Sequence, residues 1–128
     1  MATIPEEVKK IIGEQRVGFI ATADKNGVPN VSPKGSLRPM DDETLVFAVL
    51  NSPHTRDNLK VNPSVSVAVY DTQGRKGFQL KGKAEVHEAG PLFEQTAQGL
   101  SKRFPQLPPV QCVVKIKVEE VFEQLSGL

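Results

Sequence analysis

Apolar residues open the chain at helical spacing, with Ile4, Val8, Ile11 and Ile12 on one face. Thr3 and Glu6 flank that start as a capping box, and Pro5 fits a first turn. The pattern predicts a short amphipathic helix ending near Gly13 or Gln15. Val17 to Ala23 is a nearly continuous apolar run, which reads as a buried strand. Asp24-Lys25-Asn26-Gly27 is a hairpin turn leading into a second strand from Val28 to about Lys34. After a loop, Asp41-Asp42 turns the chain into a third strand, Leu45–Leu50. Ser52 and Pro53 read as N-cap and first residue of a short helix through Lys60, stopped by Asn62-Pro63-Ser64. The fourth strand alternates, with Val65, Val67 and Val69 on one face and Ser66, Ala68 and Tyr70 on the other. In the fifth, Phe78, Leu80, Gly82, Ala84 and Val86 point inward, and Gln79, Lys81, Lys83, Glu85 and His87 outward. Gly82, inside so regular a strand, predicts the tight bend of a barrel. A helix from near Pro91 aligns Phe93, Ala97, Leu100 and Phe104 and is broken by Pro105, Pro108 and Pro109. The last strand carries Val110, Cys112, Val114, Ile116 and Val118 on one face, then a tail to Leu128.

Six strands, tight turns and no strand–helix–strand rhythm predict a mainly β fold. The expected architecture is a six-stranded antiparallel barrel with short flanking helices, one domain over residues 1–128. Charge narrows the partners. Sixteen Lys plus Arg against fifteen Asp plus Glu leave a net +1, which argues against nucleic acid, as does a single Tyr for base stacking. The N-terminus has no basic start before an apolar run, and the apolar stretches are too short to span a bilayer. A soluble, cytoplasmic protein is expected. The lone Cys112 excludes an internal disulfide and a multi-cysteine zinc site, and it falls on an inward face as a small core residue. His54 and His87 are far apart, and His87 lies between Glu85 and Glu88 on a solvated face, so no metal site is expected. With no Trp, one Tyr, six Phe and 38% apolar residues, the core looks thin for a free-standing monomer.

Dinucleotide fingerprints, phosphate loops, nucleophile elbows and paired-histidine helices are absent from the sequence. Two segments carry candidate chemistry. Asn30-Val31-Ser32-Pro33-Lys34-Gly35-Ser36 gathers a cation, hydroxyls, an amide and a Gly that can hold a phosphate or a polar ring edge; the plain alternative is a polar loop. Ser52-Pro53-His54-Thr55-Arg56 opens a helix, whose free N–H groups and dipole favour anions; the alternative is that Ser52 only caps. Together they point to a phosphorylated ligand.

The order of these motifs resembles a known family. Ala21-Thr22-Ala23-Asp24-Lys25-Asn26-Gly27-Val28-Pro29-Asn30-Val31-Ser32-Pro33, then Asp42–Phe47, Thr55–Pro63, and Gly77–Val86 are similar to the pyridoxamine 5′-phosphate oxidase-like, FMN-binding split-barrel family. Gly90-Pro91-Leu92-Phe93-Glu94 resembles its small bacterial FMN-binding members. The resemblance implies a split-barrel homodimer with FMN at the subunit interface. It places Asn30, Val31, Ser32, Pro33, Lys34, Gly35 and Ser36 along the ring and ribityl chain, and Val49, Leu50 and Asn51 at the ring border. Ser52, Pro53, His54, Thr55 and Asn58 would grip the phosphate, and Gln79 would lie near the flavin. His54 stands where many relatives carry Lys or Arg, which implies weaker FMN binding as pH rises and the imidazole loses its charge.

The chain ends at Leu128 without the Arg/His-containing extension that grips pyridoxamine phosphate in the true oxidases, so that activity is not expected. The expected function is FMN binding in electron or hydride transfer, an oxidoreductase with an unidentified redox partner. No general acid or nucleophile stands out as a catalytic residue. The alternatives are a barrel that has lost FMN and serves as a binding module, and the same cleft holding a deazaflavin or haem.

Overall fold

In a computed structural model, residues 2–126 are described. They form α1 (Glu6–Gln15), β1 (Gly18–Ala23), β2 (Pro29–Lys34), β3 (Arg38–Pro39), β4 (Thr44–Val49), α2 (Pro53–Val61), β5 (Ser64–Asp71), β6 (Lys76–His87), α3 (Pro91–Arg103) and β7 (Cys112–Ser126). One antiparallel sheet runs in the order β2-β1-β5-β6-β7-β4-β3 and curls as a half-barrel. Seven strands replace the expected six. The extra one, β3, is a two-residue rung of Arg38 and Pro39 against Val46 and Leu45, too short to carry a period.

Inward residues of β1, β4, β5, β6 and β7 meet the apolar face of α1 in one core, with Ile20, Phe47, Val67, Leu80 and Ile116 in one cluster with Val8, Ile12 and the preceding Ile4. The curl is made in the long pair β6–β7, whose register shifts at Gly77/Phe78 and again at Lys81/Gly82. Gly82 is therefore the bend its place in the pattern predicts. Asp24 builds the β1–β2 turn as expected: its carboxylate accepts from the N–H groups of Asn26 and Val28, and Gly27 takes φ +83°.

Several local expectations change. The capping box does not form: the residue before α1 is Pro5, without a side-chain cap, and the Ile4 N–H is spent on the carbonyl of Asp42. The run from Val17 is not a buried strand on both faces. Gly18, Ile20 and Thr22 are buried while Phe19 and Ala21 are exposed, because β1 is covered on its inner face alone. Ser52 occupies the N-cap position of α2 but its hydroxyl makes no cap bond. The tail from Phe122 continues β7 and pairs with β6 to Ser126; residues 127 and 128 lie outside the described residues.

Candidate functional site

β2 ends where α2 begins, and the curl of the sheet makes that meeting. Period-two geometry puts Ser32 and Lys34 on the same side of β2. Lys34 is only 7% exposed; its Nζ donates to Ser32 Oγ (2.9 Å) and to Ser52 Oγ (2.5 Å), the residue just before α2. Burial pulls the Lys34 pKa below the ordinary lysine range. Among the described residues Lys34 has no carboxylate partner. A desolvated cation held by two hydroxyls and no counter-charge is an unmet demand for an anion.

The first turn of α2 supplies further donors. Arg56 N–H is taken by the Ser52 carbonyl, leaving the amides of His54 and Thr55 at the positive end of the helix. Thr55 is fully buried and, among the described residues, its hydroxyl has no hydrogen-bond partner, so its bonding capacity is unspent. Asn58, one turn on, donates to Thr22 Oγ1 (3.1 Å) and fastens α2 to β1.

Beside these groups lies a cleft of about 340 Å³. One wall is Pro33, Lys34, Gly35 and Ser36 with Ala48, Leu50, Asn51 and Ser52; the other is Leu100 of α3, Phe104 just after it, and Leu107 beyond. Ser36 Oγ accepts from the N–H of Ala48 (2.8 Å), which clips the chain after β2 to β4 and holds the first wall rigid. The second wall was not anticipated as a site. Its signal was present in the apolar row of α3, because only Thr96 of that helix is buried and the row faces no core of its own.

The sixteen residues expected at a cofactor thus fall into distinct places. Pro33, Lys34, Gly35, Ser36, Leu50, Asn51 and Ser52 line one cleft, with Ser32 bonded to Lys34 beneath it. Pro53 and His54 are exposed at the start of α2, and Thr55 is buried behind them. Asn30 is half-buried opposite Thr22, Val31 is 66% exposed on the outer face, and Val49 is sealed in the core. Gln79 lies away from the cleft on β6, where it donates to Ser66 Oγ (2.5 Å) and accepts from Gln124 (2.5 Å).

Gln79 belongs to a different feature. Direct cross-strand partners Pro33, Phe19, Ala68, Gln79 and Phe122 form a row across β2, β1, β5, β6 and β7 on the outside of the sheet. Phe19 is 48% exposed within it, and the neighbouring Val31 extends the apolar surface. Inside the sheet, burial pushes the Cys112 thiol up to about 11, so it stays protonated and unreactive at neutral pH. Among the described residues there is no group of three metal-ligating side chains and no helix long and apolar enough to cross a membrane.

Residues 4–125 match the pyridoxamine 5′-phosphate oxidase family. The uncharacterized protein MJ0282 of Methanocaldococcus jannaschii is 32% identical over 126 residues, spanning 97% of this chain and 83% of that protein. The crystal structure of HupZ from Group A Streptococcus superposes with a TM-score of 0.85 at 29% identity, covering 97% of this chain and 96% of that one. An FMN-binding protein from Syntrophomonas wolfei shares the fold, with a TM-score of 0.80 at 19% identity over 96% of this chain and 86% of that one. At similarly low identity the fold also recurs in an F420 reductase and in the haem storage protein HutZ of Vibrio cholerae.

Proposed function

The chain belongs to the pyridoxamine 5′-phosphate oxidase family, and from that premise we propose that it binds FMN and serves electron or hydride transfer in the cytoplasm as a homodimer. The observation that carries the reading is the uncompensated Lys34 ammonium, fixed by Ser32 and Ser52 at one end of an apolar-walled cleft. FMN has the matching chemistry: a dianionic phosphate, a polyhydroxyl chain and a flat ring whose reduced form is an anion.

Ser52 and the amides of His54 and Thr55 would hold the phosphate, with Arg56 as a nearby cation, while the segment from Asn30 to Ser36 and the β4 end from Val49 to Asn51 would border the ring and ribityl chain. Bound flavin supplies the redox chemistry itself. The chain's part is to orient it, exclude water with Leu50, Leu100 and Phe104, and place positive charge where negative charge grows on reduction. Purified protein should be yellow and release one FMN per chain on denaturation. A colourless protein that ignores added FMN refutes the reading; a Soret band would reassign the cleft to haem, and a bound deazaflavin to that cofactor.

The dimer rests on the outer row of the sheet. An exposed Phe19 flanked by Pro33, Ala68 and Val31 is a contiguous apolar strip, and a second copy seated on it would cover the surface that made the composition look thin. That copy would also bring Gln79, in the same row, toward its partner's cleft at Pro33. Phe19→Glu combined with Val31→Glu should give a folded monomer by light scattering with FMN affinity lowered at least about tenfold. A double variant that remains dimeric rules this face out.

A further inference from the structure

The three helices are not held alike. α1 gives Val8, Ile11 and Ile12 to the core cluster, and α2 gives Leu59. Among the described residues nothing from Gly90 to Val110 belongs to that cluster, although α3 is the longest helix at 13 residues. Its apolar row of Phe93, Ala97 and Leu100 is half-buried, and Phe104 is 48% exposed. Main-chain bonds at its ends close within the segment, from Glu94 to Gly90, Phe104 to Leu100 and Leu107 to Phe104. Among the described residues one side-chain hydrogen bond leaves it: Arg38 Nη2 on β3 donates to Oγ1 of Thr96 (3.2 Å), the buried residue of α3. Few buried apolar contacts and a single polar tie mark a unit that opens well below the energy of global unfolding.

The segment is anchored at both ends, and one end can turn. Lys60 Nζ pairs with Glu88 just before it (2.8 Å), and Gln111 N–H, donating to the Val49 carbonyl (2.8 Å), returns the chain to the sheet. Gly90 takes φ +94° and ψ −176°, a region essentially reserved for glycine, with open space around it. Pro105, Pro108 and Pro109 stiffen the far arm. Clefts flank the segment on two sides, the flavin cleft at Leu100 and Leu107 and another of about 360 Å³ facing α1. Arg103 is near enough for its charge to act on Arg38, so closure also brings like charges together and opposes the tie.

We propose that residues 90–110 form a flap hinged at Gly90, latched shut over the cleft by the Arg38–Thr96 hydrogen bond. Lifting Leu100 and Phe104 removes one wall of the cleft, so the flap sets how fast flavin enters and leaves; that second half rests on the flavin reading. Arg38 and Thr96 do not line the flavin cleft, so the latch closes alike on a filled and an unfilled site. It therefore governs rates and leaves equilibrium affinity alone.

The test is amide hydrogen exchange on the flavin-free full chain, followed by stopped-flow FMN binding. A 13-residue helix lifted off the sheet is too short to keep its hydrogen bonds in water, so opening is read as exchange. Amides from Ala97 to Arg103 should exchange at least about tenfold faster than those from Lys10 to Gln15 in α1. Arg38→Met and Thr96→Val should each quicken that exchange about tenfold further, the worth of one charge-assisted hydrogen bond, and Thr96→Ser should match the parent. Arg103→Gln, which removes the opposing charge, should slow it. Both latch variants should raise the FMN association and dissociation rates together, about tenfold, with Kd within about twofold of the parent. Exchange in α3 as slow as in α1, or unmoved in both latch variants, overturns the flap. Faster exchange with unchanged FMN rates overturns its role as a gate. Should the chain bind no FMN, the exchange measurements still decide the flap, so the two readings fail separately.

Discussion

Gly82→Ala should destabilise the protein by about 3 kcal/mol, enough to leave little soluble folded chain at ordinary expression temperature. The cause is a close approach rather than an unusual backbone angle. A Cβ at Gly82 would stand 2.1 Å from the carbonyl oxygen of Lys117 and 3.1 Å from Cγ2 of Ile116, where β6 crosses β7 at a register shift. Main-chain atoms cannot swing aside as a side chain can, so the two longest strands must part or the bulge must move. Either outcome uncurls the sheet, and β7 carries Val114, Ile116 and Val118 of the core. Denaturant unfolding of the variant beside Gly99→Ala, a helical position with open space around it, checks this: the control should lose nothing. Equal midpoints for both would show that the bulge tolerates a side chain.

Lys34→Met should act in opposite directions on stability and on the site. Burial holds the Lys34 pKa below its usual 10.5 in the folded protein, so the unfolded chain binds that proton more tightly. The native state is thus penalised at every pH below the lowered value, and the penalty fades as pH rises toward 10.5. A methionine of similar length removes it, and the Ser32 and Ser52 hydroxyls, 3.5 Å apart, can then bond to each other. The flavin-free variant should melt about 3 °C higher near neutral pH, with the gain shrinking in alkaline buffer. FMN affinity should meanwhile fall about thirtyfold, the worth of a charge-assisted contact, and the potential of whatever flavin still binds should drop. A variant that keeps parental affinity and potential would remove Lys34 from the site. Charged groups held unsatisfied for a ligand commonly cost stability in this way.

Much of the scaffold was legible because it depends on neighbours along the chain. Alternation in β5 buries Val65, Val67 and Val69 as written, the Asp24–Gly27 turn closes its hairpin, and Pro53 starts α2. Gly82 was readable as a bend because glycine breaks a strand pattern that otherwise wants side chains. Errors gathered where a local rule met a competitor from elsewhere. Thr3 and Glu6 have the capping spacing, but the chain before α1 is instead pinned through Ile4 to Asp42. Ser52 has the capping residue type, but Lys34 takes its hydroxyl.

Composition and period alone determined a mainly β chain, the inward face of each strand, and two polar segments that are candidates for holding an anion. Which of those polar groups touch was decided by the curl of the sheet. Ser52 and Lys34 are 18 positions apart, and Arg38 and Thr96 are 58 apart. Period two states which face a side chain takes, and says nothing of what lies across that face. The same limit hid the outer row: Phe19 sits in an apolar run that reads as buried, yet among the described residues no element covers it. Local sequence sets the face of each residue; only the closed path of the sheet sets its neighbour.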